Sequence, residues 1–128
     1  MKTVSIITLL VLTALTVVIT GTESTAAELR PSQKIMQARA GWLKAMNENL
    51  AATKLAEVAI GARELSAQTE MVAKNLQDER MDLTLKVTNL AKTVADAATR
   101  GDATVVKAKL GEIKGTCATC HEKYRDKK

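Results

Sequence analysis

Phenylalanine is absent from this chain of 128 residues, and tryptophan and tyrosine occur once each, so aromatics make up only 2% of it. Its core must therefore be built from aliphatic side chains, and the aromatic interleaving common in nucleic-acid binders is missing. Proline also occurs once, as Pro31, while Ala, Leu, Lys, Glu and Met abound and favour helix over strand. Histidine occurs once and cysteine twice, which leaves three thiol or imidazole ligands where a structural zinc site within one chain usually needs four. A net charge of +5 suits docking on acidic surfaces, but no basic run exceeds two residues, which argues further against nucleic acid as a partner.

What the chain does have is concentrated at its end. Cys117, Ala118, Thr119, Cys120 and His121 spell C-x-x-C-H and contain every cysteine and the single histidine. That run is the attachment signature of a c-type haem, in which two thiols add to the haem vinyl groups and the imidazole ligates iron. On a helix, positions i, i+3 and i+4 share one face, so the three side chains can address one flat macrocycle. A thioredoxin-like dithiol would need a strand-to-helix junction, and nothing here reads as strand.

The amino terminus reads as an export signal. Lys2 precedes an apolar run from Ile6 to Ile19, and the small residues Ser24, Thr25, Ala26 and Ala27 follow. The run is shorter than the ~20 apolar residues of a spanning helix, which argues against a membrane anchor. Residues 1–27 are thus expected to be a signal peptide, and residues 28–128 one small domain in the periplasm.

Four amphipathic segments follow, so the fold class is all-α, an antiparallel up-down four-helix bundle with haem in its core. The first runs from about Ser32 to Leu50 and carries Met36, Arg39, Leu43, Met46 and Leu50 on one face. Thr53 is expected to start the second, whose stripe is Leu55, Val58, Ala62, Leu65, Thr69, Val72 and Leu76. A turn near Gln77 to Glu79 leads to the third, about Arg80 to Arg100, with Leu83, Val87, Leu90 and Val94. Gly101 fits a helix stop and Asp102 an N-cap. The fourth stripe is then Val106, Leu110, Ile113, Cys117, Cys120 and Tyr124.

With these residues in view the chain resembles the class II c-type cytochromes, the family of cytochrome c′ and its low-spin relatives. C-x-x-C-H-x-x-Y-R is matched by Cys117, Cys120, His121, Tyr124 and Arg125, and an A-x-x-G-D linker by Ala97, Ala98, Gly101 and Asp102. An arginine one turn before an apolar distal residue is matched by Arg39 and Leu43. The resemblance implies that Cys117 and Cys120 anchor one covalent haem c, and that His121 is its proximal ligand. It also implies that Arg125 lies beside His121, that Arg39 lies near a haem propionate, and that Leu43 approaches the iron from the far side. The match departs from the family in the short connection between the second and third helices, which bears on haem exposure and on homodimer packing.

The sixth iron position is the open question. Bis-histidine ligation is excluded by the single imidazole, which leaves methionine, lysine, water or an empty site. Met36, Leu43 and Met46 fall within about 80° of one another at 100° per residue, so each can face the haem. Leu43 would give a blocked five-coordinate haem, and Met46 a ligated one. Either way no acid, base or nucleophile marks an enzyme. The expected function is electron carriage through the Fe(III)/Fe(II) couple, with nitric oxide or carbon monoxide binding as the alternative. The fourth segment is basic, with seven cationic residues against four acidic ones from Asp102 onward, which fits an acidic redox partner.

Overall fold

The computed structural model describes residues 29–125, and these form helices α1 (Pro31–Ala51), α2 (Leu55–Ala73), α3 (Asp78–Thr99) and α4 (Ala103–Tyr124). The expected signal peptide, residues 1–27, lies outside the described residues. No described helix is long and apolar enough to cross a membrane.

Local chemistry explains most helix ends. Pro31 stands at the first position of α1, where its fixed φ and missing N–H cost nothing. Gln33 reaches back to accept the Arg30 amide at 2.9 Å. Between α3 and α4, Gly101 takes φ +78°, and the Asp102 and Gly101 amides return to the Ala97 and Ala98 carbonyls at 2.9 and 3.1 Å. This is a Schellman stop followed at once by a cap, because Asp102 Oδ1 accepts the Val105 amide at 3.0 Å.

Two boundaries differ from expectation. Thr53 does not start α2. It closes α1 at φ 60°, with its own amide bonded to Leu50 O at 3.0 Å and the Lys54 amide to Asn49 O at 2.8 Å. The same Schellman pattern forms here with a β-branched residue in the left-handed region, where glycine is preferred and Thr strained. The second break falls at residues 74–77, slightly earlier than expected, with Gln77 extended and α3 beginning at Asp78.

The helices close into a ring in chain order, each packing on the next and α4 returning to α1. The α2–α3 seam is the most extensive and the α1–α4 seam the slightest. At the firm seam, small residues on α3 (Ala91, Ala95 and Ala98) are buried with Val58, Ala62 and Leu65 of α2, so the helices approach closely. The buried Thr88 hydroxyl donates to Thr69 Oγ1 at 2.8 Å, while Thr69 Oγ1 donates to Leu65 O at 2.8 Å, leaving neither hydroxyl orphaned.

Candidate haem-binding site

The last turns of α4 are anchored from below. Val106, Leu110 and Ile113 are buried in the core, and Thr116 is buried with its hydroxyl donated to Glu112 O at 2.9 Å. One residue on, Cys117 is half-buried and packs against the core, with Cys120 and His121 half-buried beyond it on the same face. Burial pushes the Cys117 thiol up, and the positive charge of Arg39 opposes that shift.

Arg39, on α1, is the charged group that acts on the Cys117 thiol from another helix. Burial lowers its guanidinium pKa, and the charges of Cys117 and Cys120 work against that lowering, so the thiols lie within electrostatic reach of the cation. Its Nε donates to Gln68 Oε1 of α2 at 2.8 Å. Its Nη2 is buried and has no hydrogen-bond partner among the described residues. Leaving a buried donor unmade costs roughly 1–3 kcal/mol, more for a charged group, so a group that accepts from Nη2 is called for. A haem carboxylate fits that requirement. Cys117, Cys120 and His121 match its covalent and axial chemistry, so the residues present suit haem c.

The distal candidates separate. Leu43 and Trp42 are partly buried and pack against the core, as Cys117 does. Met46 is 1% exposed and lies inside the core. A β-carbon built on Gly61 would stand 2.9 Å from Met46 Cγ and 3.6 Å from its sulfur, so the thioether is packed into α2. Met36 is 41% exposed. Of the glycines within helices, Gly61 thus marks a close approach, whereas Gly41, Gly111 and Gly115 face open space.

Arg125 caps α4 and is exposed, its amide bonded to His121 O at 2.9 Å. Tyr124, expected on the apolar stripe, is instead exposed, because its hydroxyl donates to Glu79 Oε2 at 3.0 Å across to α3. Lys123 pairs with the other Glu79 oxygen, and the Arg80 guanidinium lies 5.8 Å from the centre of the Tyr124 ring. The Lys123 ammonium, with Tyr124, holds the Glu79 carboxyl below the usual carboxylate range. This cluster ties the end of the haem-motif helix to the start of α3.

Gln68 and Glu79 were not singled out from the sequence. Gln68 carries a signal in hindsight, since it lies three residues after Leu65 on the flank of the α2 stripe, where a polar residue is half-buried. Glu79 carries none, being one charge among several at a helix start. Surface clefts around Lys54 and around Leu85 contain none of the site residues.

The chain places C-x-x-C-H on the final turns of the fourth helix of a helical bundle, as expected from its resemblance to the four-helix c-type cytochromes. Residues 74–125 match the family model described as cytochrome c′. A stretch of 37 residues is 46% identical to cytochrome c′ of Allochromatium vinosum, covering 29% of this chain and 24% of that protein. The chain thus spans about a quarter of the length of the curated relative it matches. No solved structure matches the chain. The two matches support placing the chain in the cytochrome c′ family.

Proposed function

We propose that the chain is an exported, periplasmic electron carrier with one haem c held by Cys117 and Cys120 and ligated by His121. The observation that carries this reading is the Arg39 Nη2, buried without a hydrogen-bond partner among the described residues, on a guanidinium within electrostatic reach of the two thiols. When bound, the haem supplies a one-electron Fe(III)/Fe(II) couple. The protein's share is to fix the haem by three side chains from one helical face, and to meet a carboxylate with Arg39. It also covers the far side with Leu43 and the edge of the core. Turnover of a substrate is not part of the proposal. Basic residues of α4, among them Lys107 and Lys114, would steer an acidic redox partner, an attraction that salt weakens.

Gas binding is the second reading, favoured by one specific observation: the Met46 sulfur is packed against Gly61, which leaves Leu43 as the residue nearest the role of distal cover. The test is a visible spectrum of the reduced, mature protein with and without carbon monoxide, paired with its reversible reduction potential. A low-spin ferrous spectrum unchanged by carbon monoxide would exclude the gas-binding reading. Absence of haem after acid–acetone extraction would exclude both.

A further inference from the structure

A guanidinium offers five N–H donors in one rigid plane, and a carboxylate can meet it along two kinds of edge. One edge uses Nε with the neighbouring terminal nitrogen; the other uses the two terminal nitrogens. In this protein Nε is taken by Gln68 Oε1 at 2.8 Å, while Nη2 is buried without a partner among the described residues. The Nε edge is thereby closed to any incoming carboxylate, and the terminal edge stays available.

The choice of an amide matters as much as its position. A glutamate at residue 68 would accept the same proton but would also neutralise the guanidinium. Gln68 accepts without charge, so the cation keeps its attraction for an anion brought by α4. Gln68 comes from α2 and Arg39 from α1, so the contact fixes the guanidinium from outside the slight α1–α4 seam.

We propose that Gln68 is a positioning residue for Arg39: by taking the Nε proton it sets the guanidinium plane and directs the terminal edge, with Nη2, at a cofactor carboxylate held over Cys117 and Cys120. The proposal rests on the haem reading above, in which that carboxylate is a propionate.

The test uses mature holoprotein, in which covalent attachment keeps the haem in place whatever happens at Arg39. Soret circular dichroism, which reports the asymmetry of groups around the haem, is compared for wild type, Gln68→Leu, Gln68→Met, Gln68→Glu, Arg39→Met and the double variant Gln68→Leu/Arg39→Met. Crystal structures of the wild type and one Gln68 variant accompany it, and far-ultraviolet spectra confirm that each variant is folded. Arg39→Met is expected to change the Soret signal at least twofold, and Gln68→Leu and Gln68→Met to reproduce most of that change. The double variant should add nothing to Arg39→Met, and Gln68→Glu, which keeps the acceptor but neutralises the cation, should fall between the wild type and Gln68→Leu. In the crystals, loss of the Gln68 acceptor should roll the guanidinium and break its contact with the propionate. If Arg39→Met alters the signal and both Gln68→Leu and Gln68→Met leave it at the wild-type value, the positioning role is overturned while the haem reading stands. If even Arg39→Met has no effect, Arg39 does not meet the haem and the proposal falls with that part of the reading.

Discussion

The Met46 side chain of α1 fills the space on α2 into which a side chain at Gly61 would project. The Met46 γ-carbon sits 2.9 Å from the place a Gly61 side chain would begin, well inside ordinary van der Waals contact. Gly61→Ala should therefore overpack the seam and destabilise the fold by about 1–3 kcal/mol. Met46→Ala, which removes a side chain buried to 1% exposure, should cost about 2–5 kcal/mol. Because the two residues share one space, the double variant should be less destabilised than the sum of the singles. Denaturant unfolding of the holoproteins measures all three, and strict additivity would contradict the shared contact.

The same packing makes a spectroscopic statement. With its sulfur engaged against α2, Met46 is expected to stay out of the iron's coordination, so Met46→Ala should leave the visible spectrum of the ferrous protein unchanged. Leu43→Ala should instead speed carbon monoxide entry about tenfold or more by removing the distal cover. A spectral change confined to Met46→Ala would reverse this assignment.

Thr53 is a second local conflict open to repair. A left-handed conformation costs an L-residue about 1–2 kcal/mol, and glycine escapes that cost while losing some of the gain to its greater unfolded freedom. Thr53→Gly should stabilise the protein by about 1 kcal/mol, a rise in melting temperature of roughly 5 °C. Thr53→Pro, which cannot adopt φ 60°, should do the opposite.

Glu79 should make stability sensitive to acid. Its carboxyl is held below the ordinary range chiefly by the Lys123 hydrogen bond and then by that of Tyr124. A group whose folded pKa is depressed contributes fully above its unfolded pKa, about 4.3 for glutamate, and loses that contribution as pH falls through the folded value. The difference in unfolding midpoint between wild type and Glu79→Gln should be constant from about pH 6 to 8 and shrink below about pH 4. High salt should reduce it throughout, since the groups are exposed.

Attachment itself gives a direct outcome. Cys117→Ser or Cys120→Ser should leave at most one thioether, and the double variant should release all haem into acid–acetone. The haem-free chain should be weakly helical or molten, because the buried residues are mainly alanine, valine and leucine and the macrocycle would supply much of the remaining apolar contact. A cooperative melt of the apo form at the holo temperature would contradict this.

The sequence carried a great deal of this in local terms. Helix periodicity placed Val58, Ala62, Leu65, Val87, Val94, Val106 and Ile113 inside, and all are buried. The Gly101–Asp102 pair marked a stop and a cap because both depend only on neighbours in the chain. Thr53 misled for a related reason: threonine has cap chemistry, but the preceding helix closed over it with its own carbonyls before the next began. Tyr124 lay on the apolar stripe by period, and only a carboxylate from a residue 45 positions away draws its hydroxyl to the surface.

By itself the sequence determined the all-helical architecture and the chemistry of Cys117, Cys120 and His121 as a set. Those follow from periodicity and from covalent reactivity within five residues. Tertiary structure decided which of two residues three apart on one stripe enters the core, Met46, and which remains at its edge, Leu43. It also decided that a glutamine on α2 would hold the Arg39 guanidinium. An amphipathic stripe states that a face is covered, but the depth and angle at which helices cross determine what each side chain touches. That crossing is set by contacts such as Met46 on Gly61, between residues 15 positions apart, which no local pattern encodes.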